Sequence, residues 1–225
     1  MKGKFITFEG PEGSGKSTQM QMLQDYLIGK GYDCLSTREP GGTNVGEVIR
    51  GIVLDAQQKN IADRTELFLI LADRAQHTAE VILPALEEGR IVLCDRYNDS
   101  TMAYQGYGRG LDLTETRRMC AHSSFGLQPD LTFLLDVDVA TGLTRSRERH
   151  RADAAVDALD RMEAAGKRFH EKVRAGYLTM AKEEPHRITV LGPSQNVEEV
   201  HLEIVRIVET ALKKGCLSPT LEGSG

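Results

Sequence analysis

The sequence predicts an α/β fold in which a parallel sheet is covered by helices on both faces, and three observations predict it. Short apolar runs, such as IVLCD at 91–95 and LTFLLDV at 131–137, alternate with longer segments of helical period. Strands of that kind are buried on both sides, the habit of parallel sheets. The first such run leads through a Gly-rich turn into a helix pattern, the opening of a strand–loop–helix unit. The composition agrees: 225 residues, 40% hydrophobic and 27% charged, fit one large domain, or at most two small ones, with ample core.

Each element has its own signal. Residues 4–9 (KFITFE) are apolar and β-prone and stop at Gly10, so they form a strand. Residues 16–29 place Met20, Leu23 and Leu27 at helical spacing and end before Gly29 and Gly31, a stop signal. Residues 34–37 are a short strand running into the turn Pro40-Gly41-Gly42. Thr43 then caps a helix carrying Val48, Ile52 and Leu54. A helical stretch covers 64–88, kinked or divided at Pro84. Strands 91–95 and 131–137 follow, the second leading into a helix at 139–151. Helical pattern returns at 160–182, where Met162, Phe169, Val173 and Tyr177 keep roughly one face. Residues 188–191 (ITVL) are a strand, and the last helix, 197–213, carries the stripe Val197, Val200, Ile204, Val208 and Leu212. Residues 1–214 read as the folded domain, and the tail 215–225, rich in turn formers, as disordered.

The charge balance excludes several function classes. With 28 Lys and Arg against 33 Asp and Glu, the net charge of −5 leaves no broad basic surface for nucleic acid. No apolar run approaches the roughly 20 residues of a membrane span. The start, Met1-Lys2-Gly3-Lys4, runs directly into a strand and has no signal-peptide pattern. Cys34, Cys94, Cys120 and Cys216 lack metal or redox spacing. They read as small buried hydrophobes in a reducing, cytoplasmic setting.

The strongest chemical signal is Gly10-Pro11-Glu12-Gly13-Ser14-Gly15-Lys16-Ser17, followed by Thr18. It matches the phosphate-loop pattern G-x-x-x-x-G-K-[ST], between a strand and a helix as that motif requires. Glycines let the loop curl so that backbone N–H groups face phosphate oxygens, aided by the helix N-terminus. Lys16 then neutralises the β- and γ-phosphates and Ser17 holds Mg²⁺. Asp95 closes an apolar strand, the place of a carboxylate that assists the metal. Arg96 follows it and sets a second cation at the sheet end where such folds bind ligands. A nucleotide switch has no need of that cation; an enzyme with a phosphorylated acceptor does. Residues 145–151 add Arg145, Arg147, Arg149 and Arg151 in a net acidic chain, a cluster that suits a mobile lid.

These pieces together resemble bacterial thymidylate kinases over residues 4–210. The carriers are FEGPEGSGKST (8–18), TREPGGT (37–43), ADRAQH (72–77), DRYNDSTMAYQGYGRG (95–110), QPDLTFLLDV (128–137) and DRME (160–163). The resemblance implies a P-loop kinase fold with a five-stranded parallel sheet, a homodimer, and phosphoryl transfer from ATP–Mg²⁺ to dTMP. By that resemblance Gly10 to Thr18 bind ATP, Ser17 and Asp95 the metal, and Lys16 and Arg96 act on the phosphates. Glu12, Glu39, Ile70, Arg74, Arg96, Thr101, Tyr104 and Gln105 line the dTMP site. Arg74 meets the thymine carbonyl, Thr101 reads the base edge, and Tyr104 crowds the sugar 2′ position. Ser194-Gln195 resembles a turn beside the adenine.

Gly13 stands where one group of the family carries a catalytic arginine. The chain therefore resembles the group that supplies it from the lid, about 145–160, through Arg147, Arg149 or Arg151. Two features depart from the pattern. The lid carries an insertion near Asp153–Leu159, and Ile70 occupies the position where an aromatic usually stacks on thymine; Phe68, two residues earlier, reads as core. Two other readings remain: a P-loop kinase for another nucleoside monophosphate or a deoxynucleoside, and a nucleotide-binding switch without transfer to a small acceptor.

Overall fold

The computed structural model describes residues 3–58, 60–152, 161–192 and 196–214, with the side chains of 149–152 and 214 outside that description. The described residues hold five strands, β1 (Lys4–Glu9), β2 (Cys34–Arg38), β3 (Ile91–Asp95), β4 (Leu131–Leu135) and β5 (Ile188–Leu191). They form one all-parallel sheet in the order β2-β3-β1-β4-β5. Phe8 of β1 and Arg38 of β2 both lie opposite Asp95, so three carboxyl ends finish at one level. That edge is where ligands bind in open α/β sheets.

Alternation along the strands sends side chains into two cores. Ile6, Phe8, Ile91, Leu93 and Phe133 pack against Leu23 and Leu27 of helix α1 (Lys16–Gly29) and Ile204, Val208 and Leu212 of the C-terminal helix, Val197–Lys214. On the other face Phe5, Val92 and Cys94 meet Ile82, Ala85 and Tyr97. A third cluster joins α2 (Asn44–Leu54), α3 (Asp63–His77) and α8 (Lys167–Glu183) around Ile70, Tyr104 and Tyr177. Cys34, Cys94 and Cys120 are buried free thiols, as the sequence suggested; Cys216 and the tail lie outside the described residues.

Several sequence expectations need correction. Helix α2 is capped by Thr43, whose side chain accepts from Gly46 N–H at 2.9 Å, but its buried face is Gly46, Ile49 and Val53. Of the expected stripe Leu54 packs inward, while Val48 and Ile52 face outward, because an outward apolar stripe has the same spacing as an inward one. Phe68 is 56% exposed on α3 and not core. The stretch 64–88 is three pieces: α3, a π-helical turn at Thr78–Ile82, and α4 (Leu83–Glu87) with Pro84 in its first turn. Proline has no N–H to donate, and the wide turn supplies a local break just before it. The helix expected from 160 starts at Lys167, with Gly166 at its cap, so Met162 precedes it. Val197 is half exposed at the start of its helix, and β4 ends at Leu135, before Asp136-Val137.

The segment between Asp95 and Leu131 is one to which the sequence reading assigns no secondary structure. It holds a short helix, α5 (Asn98–Thr101), a π-helical turn at Met102–Gly108, and α6 (Leu113–Ser123). Asp112 caps α6 by accepting from Glu115 N–H at 2.8 Å.

The loop Glu39–Gly42 after β2 is strapped to α3 by polar contacts. Arg74 Nε donates to Glu39 at 2.8 Å, His77 Nδ1 lies 3.0 Å from the same carboxylate, and Asp73 Oδ1 accepts from Gly41 N–H at 2.9 Å. The Glu39–Pro40 peptide is cis. Burial, reinforced by the Glu39 charge, pushes the Asp73 carboxyl up from 3.8 to about 7. The folded chain therefore holds this proton between pH of about 4 and 7, where the unfolded chain has lost it. Stability drawn from Asp73 is present at the acid end and lost as pH rises through 7, at up to about 1.4 kcal/mol per pH unit. Asp73→Asn imitates the protonated form and keeps the acceptor for Gly41. Thermal melts from pH 4.5 to 8 should show the variant gaining on the parent as pH rises; parallel profiles would remove Asp73 as the source.

Candidate functional site

The phosphate loop runs from β1 to α1 across the carboxyl edge of the sheet. Gly13 sits at φ +66°, and a Cβ there would lie 2.1 Å from the carbonyl oxygen of Gly142. Only glycine meets both demands, so the loop tip rests directly on the first turn of α7 (Val139–Ala152). Lys16 opens α1 and is nearly buried; its Nζ folds back to the carbonyls of Gly10 (3.1 Å) and Pro11 (3.0 Å). Burial, helped by the Arg96 charge, lowers its pKa from 10.5 to about 8. Ser17 Oγ donates to Asp95 Oδ2 at 3.0 Å. Asp95 Oδ1 is buried and has no partner among the described residues. A hydroxyl beside a half-used carboxylate is an oxygen donor set that fits a hard divalent cation.

Arg96 follows β3 at φ 73°, in the left-handed region that non-glycine residues rarely adopt. Its backbone N–H donates to Phe8 O at 3.0 Å, and its side chain turns back over the phosphate loop. Nη1 donates to Gly10 O, Ser100 Oγ and Tyr177 Oη, and Nη2 to Glu12 Oε1 at 2.8 Å. The guanidinium lies 5.0 Å from the Tyr104 ring centre, and the Tyr104 hydroxyl donates to Glu12 at 2.8 Å. Burial alone would raise the Glu12 carboxyl, but Arg96, Lys16 and the Tyr104 hydroxyl hold it at about 2. Beneath them Glu9, fully buried, accepts from Tyr97 N–H, Ser100 and Tyr177. Burial and the nearby Asp99 charge raise its pKa.

Two cavities meet here. One, about 640 Å³, is lined by all eight residues expected for the acceptor: Glu12, Glu39, Ile70, Arg74, Arg96, Thr101, Tyr104 and Gln105. Arg74 is almost fully buried in its wall, with Nη1 on Thr101 Oγ1 (2.8 Å), Nη2 on the Tyr97 carbonyl (3.0 Å) and a weaker contact to Cys120 Sγ. Ile70 joins Val53, Leu54 and Met162 in the apolar part of the lining. The second, about 1350 Å³ and open to solvent, is lined by Glu12 to Thr18 and Asp95. Gly10 and Pro11 act behind it, through the carbonyls that hold Lys16. Glu12, Glu39, Arg50 and Arg96 line both.

Sequence reasoning missed Arg50, whose Nη1 donates to the Pro40 carbonyl at 2.9 Å, together with Val53 and Leu54 of the same helix as cavity wall. Correct assignment of the inward face of α2 would have found Arg50 and Val53; Leu54 already stood on the expected stripe. Arg38, Arg145 and Glu163 also line the open cavity. Arg147 is exposed and is not part of that lining. The side chains of Arg149 and Arg151, the insertion Asp153–Leu159 and the turn Ser194-Gln195 lie outside the described residues.

Comparison with known proteins agrees with this geometry. A thymidylate kinase family profile matches residues 8–204. A thymidylate kinase of Desulfovibrio desulfuricans is 50% identical over 210 residues, spanning 93% of this chain and 97% of its own length. One of Solidesulfovibrio magneticus is 51% identical over 196 residues, 87% and 94% of the two chains. The crystal structure of thymidylate kinase from Ehrlichia chaffeensis superimposes with a TM-score of 0.72 at 32% identity, covering 93% of this chain and 99% of that one. With a phosphate loop and a second cavity sharing one wall, and relatives matched over nearly their full lengths, the chain belongs to the thymidylate kinase family.

Proposed function

We propose that the two joined cavities carry out phosphoryl transfer from ATP to dTMP, with the donor at the phosphate loop and the acceptor in the smaller cavity. The observation that carries this reading is the shared wall of Glu12, Glu39, Arg50 and Arg96, which brings the ends of two polyanions to one cationic line. The apolar lining of Val53, Leu54, Ile70 and Met162 suits a pyrimidine base, and Arg96 suits its phosphate. Ile70 replaces an aromatic stacking surface with a branched aliphatic one. Tyr104, held by Glu12 and Arg96, fills the space beside the sugar and favours deoxyribose.

A phosphate monoester has its second pKa near 6, so the acceptor oxygen is already an anion at neutral pH and needs no strong base. The work is electrostatic. Lys16 leaves the Gly10 and Pro11 carbonyls to bind donor phosphates, Arg96 grips the acceptor, and lid arginines cover the transferring group. Ser17 and Asp95 would hold Mg²⁺, which when bound neutralises charge on the β- and γ-phosphates. Among the described residues Arg145 is the lid arginine that lines the donor cavity, and Arg147, Arg149 and Arg151 extend the same cationic run in the sequence. A lid closed over both substrates excludes water as a competing acceptor.

The reading includes a homodimer. Val45, Val48 and Ile52 on α2 and Phe68 on α3 are exposed apolar side chains on two packed helices, a surface that suits a second copy. It also includes a cytoplasmic setting, favoured by the buried free thiols. No helix among the described residues is long and apolar enough to cross a membrane.

Two experiments test the assignment. Lys16→Ala should abolish dTMP-dependent ADP release while leaving the melting temperature within a few degrees; near-normal turnover would sink the role of the phosphate loop. Replacing Arg147, Arg149 and Arg151 together by Ala should lower kcat at least 100-fold, about 2.7 kcal/mol, with little change in dTMP affinity. A solvated charged face would instead leave turnover within threefold of the parent, and the catalytic arginine would then have to be sought elsewhere, first at Arg145.

A further inference from the structure

Glu66 touches neither cavity, yet the lining of the acceptor cavity depends on it. It is fully buried on α3. Its Oε1 accepts from Gln105 Nε2 at 2.8 Å and Arg109 Nε at 3.1 Å. Its Oε2 accepts from Arg109 Nη2 at 2.9 Å and Arg161 Nη2 at 2.5 Å. Arg161 is in turn fixed to the apolar end of the cavity, through Nε to the Val53 carbonyl and its backbone N–H to the Leu54 carbonyl. Burial would raise the Glu66 carboxyl, but Arg109, Gln105 and Arg161 hold it down, so it is ionised.

An ionised carboxylate can only accept hydrogen bonds. Gln105 must therefore present its NH₂ to Glu66, and its carbonyl oxygen must point away. The O/N ambiguity of an ordinary glutamine does not arise here, because the flipped amide would set two oxygens against each other. Gln105 is almost wholly buried and lines the acceptor cavity. Its Oε1 makes no hydrogen bond among the described residues and is the polar group left for a ligand.

We propose that Glu66 is a positioning residue that fixes the amide of Gln105 as a hydrogen-bond acceptor. The cavity thereby selects pyrimidines with an N3–H over those with a bare N3 lone pair. Thymine and uracil carry that imide N–H; cytosine offers a lone pair at N3, which an acceptor repels. The inference rests on the reading of this cavity as the dTMP site. It assigns discrimination against cytosine to a side chain that never meets the nucleotide.

The test is the dissociation constants of dTMP, dUMP and dCMP, measured by calorimetry on the parent, Glu66→Gln, the double variant Glu66→Gln/Arg109→Gln, and Arg109→Gln. The double variant removes one guanidinium along with the carboxylate charge, so it keeps the cluster balanced if Glu66→Gln alone fails to fold. Freed from an obligate acceptor, Gln105 can turn its NH₂ toward the base. The preference for dTMP over dCMP should then fall at least about tenfold in either Glu66 variant, while dTMP against dUMP stays unchanged. Arg109→Gln should lower the melting temperature and leave the preference within about twofold, which a merely structural role for Glu66 would not separate. A folded double variant with the parent's preference overturns the inference alone. A parent that binds dTMP no better than dCMP and does not phosphorylate it overturns the reading of the cavity, and this inference with it.

Discussion

Glu12 and Arg96 meet at 2.8 Å on the line where the two cavities join, and the geometry on either side follows from that contact. The strand order makes the contact possible. Strands β1 and β3 are neighbours, with Phe8 opposite Asp95, so the loops leaving them rise side by side at the carboxyl edge. Each charge is enclosed enough to need the other. Removing one partner leaves a largely enclosed ion without its counter-charge, which costs more than breaking an exposed pair. The pair is also held from below, because Ser100 and Tyr177 bond both Arg96 and Glu9. Phosphate loop, α5 and α8 are therefore fixed to one another through a single guanidinium.

The charges around this contact are poised for an anion that is itself multiply charged. Lys16, Arg38, Arg50, Arg96 and Arg145 line the open cavity together with Glu12, Glu39, Asp95 and Glu163. Crowded with Arg96 and withdrawn from water, Lys16 falls to about 8. Phosphate oxygens would restore its affinity for the proton and replace the two loop carbonyls as its partners. Binding thus relieves an electrostatic tension that folding created, the pattern of a site organised for its ligand in advance.

How much of this was legible in the sequence depends on what each residue answers to. The phosphate loop answers to chemistry, which fixes residue type and spacing, and its residues from Glu12 to Thr18 line the larger cavity. The eight residues expected at the acceptor came from the family resemblance, and all eight line the smaller one. Strand positions were legible because short β-prone runs end at turn formers, too short to be helices. The faces of α2 and α3 were not. Val48, Ile52 and Phe68 are apolar and outward, and periodicity reports that a stripe exists without saying which side of the helix is wet. Arg50 and Val53 were lost with that face, whereas Leu54, on the expected stripe, does pack inward. The π-helical turns at Thr78–Ile82 and Met102–Gly108 break the 3.6-residue period on which helix reading rests. Asp112 and Glu115, spaced as a helix cap and its third residue, were a signal for α6 that could have been used.

The account stands on one claim: a phosphoryl group passes directly between two cavities that share the Glu12–Arg96 wall. The most direct measurement follows the γ-phosphate itself, using ATP labelled at that position, Mg²⁺, and each nucleoside monophosphate in turn, with products separated by chromatography. The account predicts label in dTDP, matched by an equal amount of ADP, and little label in the product of any cytosine or purine acceptor. Label released chiefly as inorganic phosphate, or ADP formed at the same rate whether or not dTMP is present, would contradict it.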